Sequence, residues 1–232
     1  MPFHIGSAFR AGSAVRPFSI LAAILVLAGG AFFLAARHQA APAVYAADLA
    51  PIQLPAPQTT GGMPLMQALA GRHTTRAFRD QPLPPQLLSN LLWATFGVNR
   101  PRSEHPGLGR TAPSAMNSQD IEIDVVLAQG AYVYDAEKNL LRPLAAGDLR
   151  AKVVSTPAAQ AAVVLIYSAA AKDDFAQVDT GFIGQNAYLF AASEGLNAWF
   201  YTVHASNVAA ALHLPSGHVP LYGQSIGYPP QS

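Results

Sequence analysis

Three short segments carry side chains able to hold a small polar ligand. Arg72-His73-Thr74-Thr75-Arg76 sets two guanidinium groups four residues apart around two hydroxyls. A guanidinium fork bonds a phosphate or a carbonyl edge at two points, and threonine adds a neutral bond without crowding, so the segment suits an anion. The same residues also describe a solvated basic helix end that complements the helix dipole. Thr111-Ala112-Pro113-Ser114-Ala115-Met116-Asn117-Ser118-Gln119 crowds hydroxyls and amides together. Amides both donate and accept, as a heterocycle with alternating N–H and C=O groups requires. An ordinary polar turn uses the same residue types. The third segment, Gln185–Leu196, reads as a helix closed at Glu194-Gly195. Gly195 serves there either as a left-handed cap or as a place where a ligand can approach the backbone. The three segments lie far apart in the chain, and their joint occurrence says more than any one of them.

The elements that must position these segments follow from periodicity. A first helix is predicted over Pro64–Gly71, with Met63, Leu65, Met66 and Leu69 as its apolar side. A second starts at Pro84-Pro85 and closes at Gly97, with Leu87, Leu88, Leu91, Leu92, Ala94 and Phe96 as a broad buried stripe. Residues 98–116 show no period and read as a long surface loop. Ile121–Leu127 alternates as a strand, with Ile121, Ile123 and Val125 on one face and Glu122 and Asp124 on the other. A hairpin follows around Asp135–Lys138, then a continuous apolar strand, Ala161–Tyr167. Gly181–Ser193 is a predicted helix, Asn197–Val203 a strand, Asn207–Leu212 a short helix and Leu221–Ile226 a last strand. Hairpin signals mixed with helices, without a repeating βαβ series, predict an α+β fold.

The leader is of another kind. Residues 17–36 form twenty residues without a charge, preceded by Arg10 and Arg16, long enough as a helix to cross about 30 Å of hydrocarbon. This predicts residues 1–36 as a signal or membrane anchor, read as an uncleaved anchor, with a small-residue cleavage site ending at Ala46 as the alternative. Residues 37–61, rich in Ala and Pro, read as a tether, and residues 62–232 as the globular domain. The domain is then membrane-anchored or exported, with two arginines before the span against one after it placing the domain on the extracytoplasmic side, and a domain facing inward as the alternative. Of the 14 basic residues, Arg10, Arg16 and Arg37 precede residue 47 and no acidic residue does, which leaves 11 basic against 13 acidic in the remainder. That balance argues against nucleic acid as a partner. With no cysteine, disulfides, thiolate nucleophiles and cysteine-ligated zinc are excluded.

Arg72-His73-Thr74-Thr75-Arg76-Ala77-Phe78 resembles the opening R-[RH]-S-x-[RK]-x-F motif of the nitroreductase family. Pro113-Ser114-Ala115-Met116-Asn117-Ser118-Gln119 is similar to its P-S-x-x-N-x-Q motif. Glu194-Gly195-Leu196 and Ile226-Gly227-Tyr228-Pro229 resemble its late-helix turn and its closing strand end. The resemblance covers Met63 to Pro230, and the Leu91-Leu92-Trp93-Ala94 and Gly97-Val98-Asn99-Arg100 segments look most like the branch containing azoline-oxidising dehydrogenases. It implies a central, mostly antiparallel sheet flanked by helices, FMN as cofactor and an intertwined homodimer with the flavin at the interface. It further implies hydride or electron transfer by a ping-pong mechanism, from NAD(P)H or another donor to a nitroaromatic, quinone or azoline-like acceptor, with no catalytic acid, base or nucleophile required. By the same resemblance, Arg72 and Thr74 would hold the FMN phosphate and ribityl end, with His73 beside them. Arg76 would approach the pyrimidine edge. Asn117 and Gln119 would serve the ring's polar edge, Pro113 and Ser114 would shape the turn from the partner subunit, and Glu194 and Gly195 would present backbone N–H groups to the flavin.

Two departures from the family pattern are Asp120, where an apolar residue is usual, and the lack of a basic residue after Tyr228. They define the alternative, a membrane-tethered binding module of this fold that has lost FMN. A hydrolase using Ser114 with His204 or His73 lacks a nucleophile elbow. His213 and His218 flank a turn without a third metal ligand.

Overall fold

Alternation and apolar runs assemble into one twisted sheet in a computed structural model that describes residues 49–101, 107–170 and 172–231. All of them belong to one compact unit, Pro42–Ser232. The strands are β1 (Ile52–Gln53), β4 (Glu122–Leu127), β5 (Gly130–Asp135), β6 (Leu140–Ala146), β7 (Val163–Ala169), β8 (Asn197–Thr202) and β9 (Val219–Gly227). They pair in the order β1-β6-β5-β4-β7-β9-β8 with every pairing antiparallel. Between β1 and β4 a separate ribbon joins β2 (Val98–Arg100) to β3 (Gly109–Arg110). The helices are α1 (Leu65–Gly71), α2 (Pro85–Phe96), α3 (Arg150–Val153), α4 (Asp174–Ser193) and α5 (Ala205–Leu212). Among the described residues no helix is long and apolar enough to cross a membrane. The span expected over 17–36 and the cleavage site ending at Ala46 lie outside the described residues.

Both faces of the sheet are covered. On one face Leu91 and Leu92 of α2 and Ile183 and Ala187 of α4 pack with Val125, Leu165 and Tyr167. On the other, Val208 and Leu212 of α5 and Val153 of α3 pack with Val126, Val164 and Ile166. Strand β7 lies between β4 and β9, so all seven of its residues are buried, which accounts for its unbroken apolar run. The same two-sided cover buries the polar face of β4: Asp124, on the face opposite Ile123 and Val125, is 1% exposed, accepting a 2.6 Å hydrogen bond from Ser168 Oγ.

Three expectations change. Part of the stretch read as a tether is sheet edge: Ile52 and Gln53 pair with Leu141 and Leu140, Leu54 is buried, and the Pro55 carbonyl accepts from Ser89 Oγ and Asn139 Nδ2. The loop 98–116 contains the β2–β3 ribbon, pinned to α2 where Trp93 Nε1 donates to the Val98 carbonyl at 3.0 Å. The apolar side of α1 turns outward. Only Ala68 is buried, while Leu65, Met66 and Leu69 stand 62%, 75% and 44% exposed.

Helix α4 crosses the sheet at Gly184. A Cβ there would lie 2.7 Å from Phe200 Cε2, and Phe200 is itself stacked between Tyr167 and Tyr222, at 6.0 and 5.1 Å. To make room the half-buried ring would have to give up part of that stacking. Overpacking of this kind costs about 1–3 kcal/mol, against roughly 1 kcal/mol recovered from helix propensity. Gly184→Ala is therefore expected to lower the urea midpoint of unfolding, and an unchanged or higher midpoint would show that helix and sheet are not in such close contact.

Candidate functional site

Helix α1 ends where Arg72 leaves helical geometry (φ −65°, ψ 119°) while its N–H still bonds the Ala68 carbonyl. The chain then runs extended along β8. Thr75 N–H donates to the Ala198 carbonyl at 2.9 Å, Ala198 N–H returns a bond to Thr75 Oγ1 at 3.0 Å, and Asn197 Nδ2 donates to the Ala77 carbonyl at 2.6 Å. These bonds fix the basic segment against the end of α4, and the α1 entry is fixed to the same place by Met63 N–H donating to Ser193 Oγ. Arg72 is half-buried with its guanidinium 5.4 Å from the Tyr188 ring centre, and Arg76 lies 5.3 Å from that of Trp199. His73 Nδ1 is within 2.7 Å of the Gly71 carbonyl, so one ring nitrogen is engaged locally.

Beneath this segment a cavity of about 160 Å³ is lined by Gly71, His73, Thr75, Tyr188, Ala191, Ala192 and Gly195. Tyr188, Ala191 and Ala192 of α4 and Gly195 just past its end fall at i, i+3, i+4 and i+7, one side of the helix and its cap, and three of the four are Ala or Gly. That small-residue face opens the cavity. Gly195 (φ +65°) forms the left-handed cap, with Leu196 N–H bonded to the Ala191 carbonyl at 2.8 Å. Glu194 N–H is bonded within the helix to Phe190 at 3.0 Å, whereas Gly195 N–H makes only a long 3.5 Å contact with Ala192. Of the two backbone donors, Gly195 is the one left for a ligand, and a Cβ at Gly195 would meet no atom within 4 Å.

The segment 113–119 stands elsewhere. Pro113 and Asp120 are exposed, and Ser118 Oγ donates to Asp120 at 3.1 Å. Ser114 Oγ accepts Gln119 N–H at 2.9 Å, closing the turn. Gln119 Nε2 donates to Asn117 Oδ1 and to the Leu108 carbonyl, and Gln119 Oε1 accepts from Arg110 Nε at 2.8 Å. Met116, Asn117 and Gln119 all have positive φ near 50°, a conformation that non-glycine residues adopt at a cost of order 1–3 kcal/mol each and that clusters at functional sites. The turn is anchored on α4 through buried Asp179, which accepts Ala115 N–H at 2.9 and 3.1 Å. Asp179 and cavity-lining Ala192 are thirteen positions apart on one helix, roughly 20 Å at 1.5 Å per residue. One protomer therefore does not bring its two polar segments together, and Gln119 opens instead on a charged cleft with Arg110, Glu122, Asp135 and Arg142.

Sequence reasoning missed Tyr188, Asp179 and Arg110. The helical spacing of Tyr188 to Gly195 was a usable signal for the first. Nothing local marks Asp179 as a turn anchor.

The nitroreductase family model matches residues 69–228, from the end of α1 to the end of β9. The chain belongs to the nitroreductase family. A Ralstonia eutropha JMP134 protein assigned as a nitroreductase is 34% identical, with 83% of this chain and 95% of that one aligned at a TM-score of 0.70. An Anabaena variabilis ATCC 29413 protein of the same assignment is 20% identical at a TM-score of 0.64, and this chain spans 42% of it. The Escherichia coli microcin synthetase McbBCD complex with truncated pro-MccB17 bound shares the fold, with 17% identity, a TM-score of 0.57 and 96% of this chain and 85% of that one covered. A search of the curated proteins found no match. Membership supports an oxidoreductase-like protein of a family that generally binds FMN, and the all-antiparallel sheet with helices on both faces agrees with the α+β expectation.

Proposed function

We propose that this nitroreductase-family protein is an FMN-dependent oxidoreductase. It works as a homodimer, moving hydride or electrons from NAD(P)H or another donor to a small acceptor such as a nitroaromatic, a quinone or an azoline. The observation that carries this reading is the cavity at the junction of α1, α4 and β8. His73 and Thr75 line it, Arg72 and Thr74 stand against its lining residue Tyr188, Gly195 contributes a lightly used N–H, and a face of small residues admits a planar group. The donor set is cationic and hydroxylic at one end and backbone N–H at the other, which fits a phosphorylated flavin. Bound FMN supplies the hydride-accepting and hydride-donating chemistry, and the protein binds, orients and tunes it. Arg72 and Thr74 take the phosphate end, Arg76 holds positive charge near the ring edge, and Gly195 offers its N–H.

A 160 Å³ cavity holds only part of such a ligand, since sites for ligands of this size run to about 300–1,000 Å³. A second copy supplies the rest. The segment Pro113, Ser114, Asn117 and Gln119, roughly 20 Å away in its own protomer, would complete the partner's cavity, with Met116, 91% exposed, at its tip. Phe175, Val178 and Phe182 form an exposed apolar stripe on the same helix that anchors this segment, and Leu65 and Met66 of α1, whose entry is bonded to the other end of that helix, are exposed as well, so both places offer apolar side chains for burial between copies. The uncharged stretch 17–36 supports a membrane-anchored or exported location for the domain.

The full-length protein is expected to purify yellow, with flavin absorbance and the sedimentation of a dimer. A colourless protein that gains no flavin absorbance after FMN is added would overturn the oxidoreductase reading in favour of a binding module of the same fold.

A further inference from the structure

Tyr188 lies in the third polar segment but outside its Glu194-Gly195-Leu196 motif, and three residues from two other parts of the site meet on it. Phe200 N–H of β8 donates to Tyr188 Oη at 2.8 Å, Thr74 Oγ1 lies 3.0 Å from the same oxygen, and the Arg72 guanidinium sits 5.4 Å from the ring centre. A backbone N–H can only donate, so the phenolic oxygen accepts there and its own proton is free for another partner. We propose that this proton is directed to Thr74 Oγ1, which turns the Thr74 hydroxyl outward as a donor and makes Tyr188 the positioning residue that selects a phosphorylated over an unphosphorylated flavin.

The chemistry requires that direction. Near neutral pH a phosphate monoester presents chiefly charged acceptor oxygens, so a hydroxyl helps only by donating. A Thr74 proton spent on Tyr188 would leave oxygen lone pairs facing an anion. The run from Phe200 N–H through Tyr188 O–H to Thr74 O–H polarises each bond by the one before it, strengthening the last donor. The same ring supports the Arg72 guanidinium by its π face, so one side chain orients both the neutral and the charged donor. Tyr188 is the first of the three α4 residues that line the cavity.

The proposal rests on the assignment of Arg72 and Thr74 to the FMN phosphate, and the test separates the two. FMN and riboflavin affinities are measured by fluorescence titration on the full-length protein stripped of flavin, for wild type, Tyr188→Phe, Thr74→Val and the double variant. Tyr188→Phe keeps the ring beneath Arg72 and removes only the hydroxyl. It is expected to weaken FMN about five- to tenfold, the scale of one hydrogen bond, while riboflavin changes less than twofold. Thr74→Val shows the same selective loss, and the double variant loses no more than Thr74→Val alone because the two groups act in series. Undiminished FMN affinity in Tyr188→Phe, or equal weakening of both flavins, overturns the role of Tyr188 while leaving the phosphate site standing. A wild-type protein that binds riboflavin as tightly as FMN overturns the phosphate assignment itself, and this proposal with it.

Discussion

Arg72→Ala is expected to release FMN, weakening its affinity by roughly 10- to 100-fold while riboflavin affinity stays within a few-fold of wild type. A charge-assisted hydrogen bond is worth about 1.5–3 kcal/mol, and each 1.4 kcal/mol is a factor of ten in affinity. Arg72 is half-buried against Tyr188 at the end of α1, where part of the side chain's ordering is met by the fold before any ligand arrives. Arg72→Lys keeps the charge without the planar fork and is expected to fall between wild type and alanine. Loss of the stacking on Tyr188 costs only about 0.5–1 kcal/mol of stability, so the alanine variant should remain folded. Equilibrium dialysis of the two flavins against each variant decides the matter. Unchanged FMN retention in Arg72→Ala would mean that the phosphate is held elsewhere.

Stability is expected to fall as pH rises from about 4 to about 7, through one buried carboxyl. Burial pushes Asp124 up from 3.8 to about 7, with the neighbouring charge of Glu122 adding to the rise and the hydrogen bond from Ser168 opposing it. Below about pH 4 native and unfolded chains both keep this proton, so Asp124 costs nothing. Between the two values the native state holds a proton that the unfolded chain has released, and each step upward in pH favours unfolding. Above about pH 7 the full cost applies, at most about 4 kcal/mol at 1.36 kcal/mol for each pH unit between the two values. Oδ1 of Asp124 has no hydrogen-bond partner among the described residues, so nothing compensates the charge on that side. Asp124→Asn retains an acceptor for Ser168 and cannot ionise. Urea midpoints from pH 4 to pH 8 should decline less in Asp124→Asn than in wild type. Parallel declines in the two proteins would place the pH dependence in other groups.

The order and type of the main elements were legible in the sequence because their signals are local. Pro84-Pro85 and Gly97 bracket α2 to within a residue, and the alternation of Ile121, Ile123 and Val125 locates β4 and its inner face. Helix α4 starts seven residues earlier than its apolar period indicates. Asp173 caps it by accepting Ala176 N–H at 2.8 Å, and Phe175 and Val178 sit on the side turned away from the core.

What sequence alone determined was the chemical inventory: the family motifs, the absence of thiol chemistry, the uncharged leader and the two polar segments with their donors. Only the tertiary structure decided where those groups point. It put Asp124 indoors, because the second face of the sheet is covered by α3 and α5, which lie far along the chain. It turned Leu65 and Met66 outward, drew residues 52–55 into the sheet and hung Thr74 and Arg72 on Tyr188. It also set the two polar segments at opposite ends of α4. Each is a long-range pairing, and a window of neighbouring residues encodes only the local period and cannot say which distant surface will cover a given face.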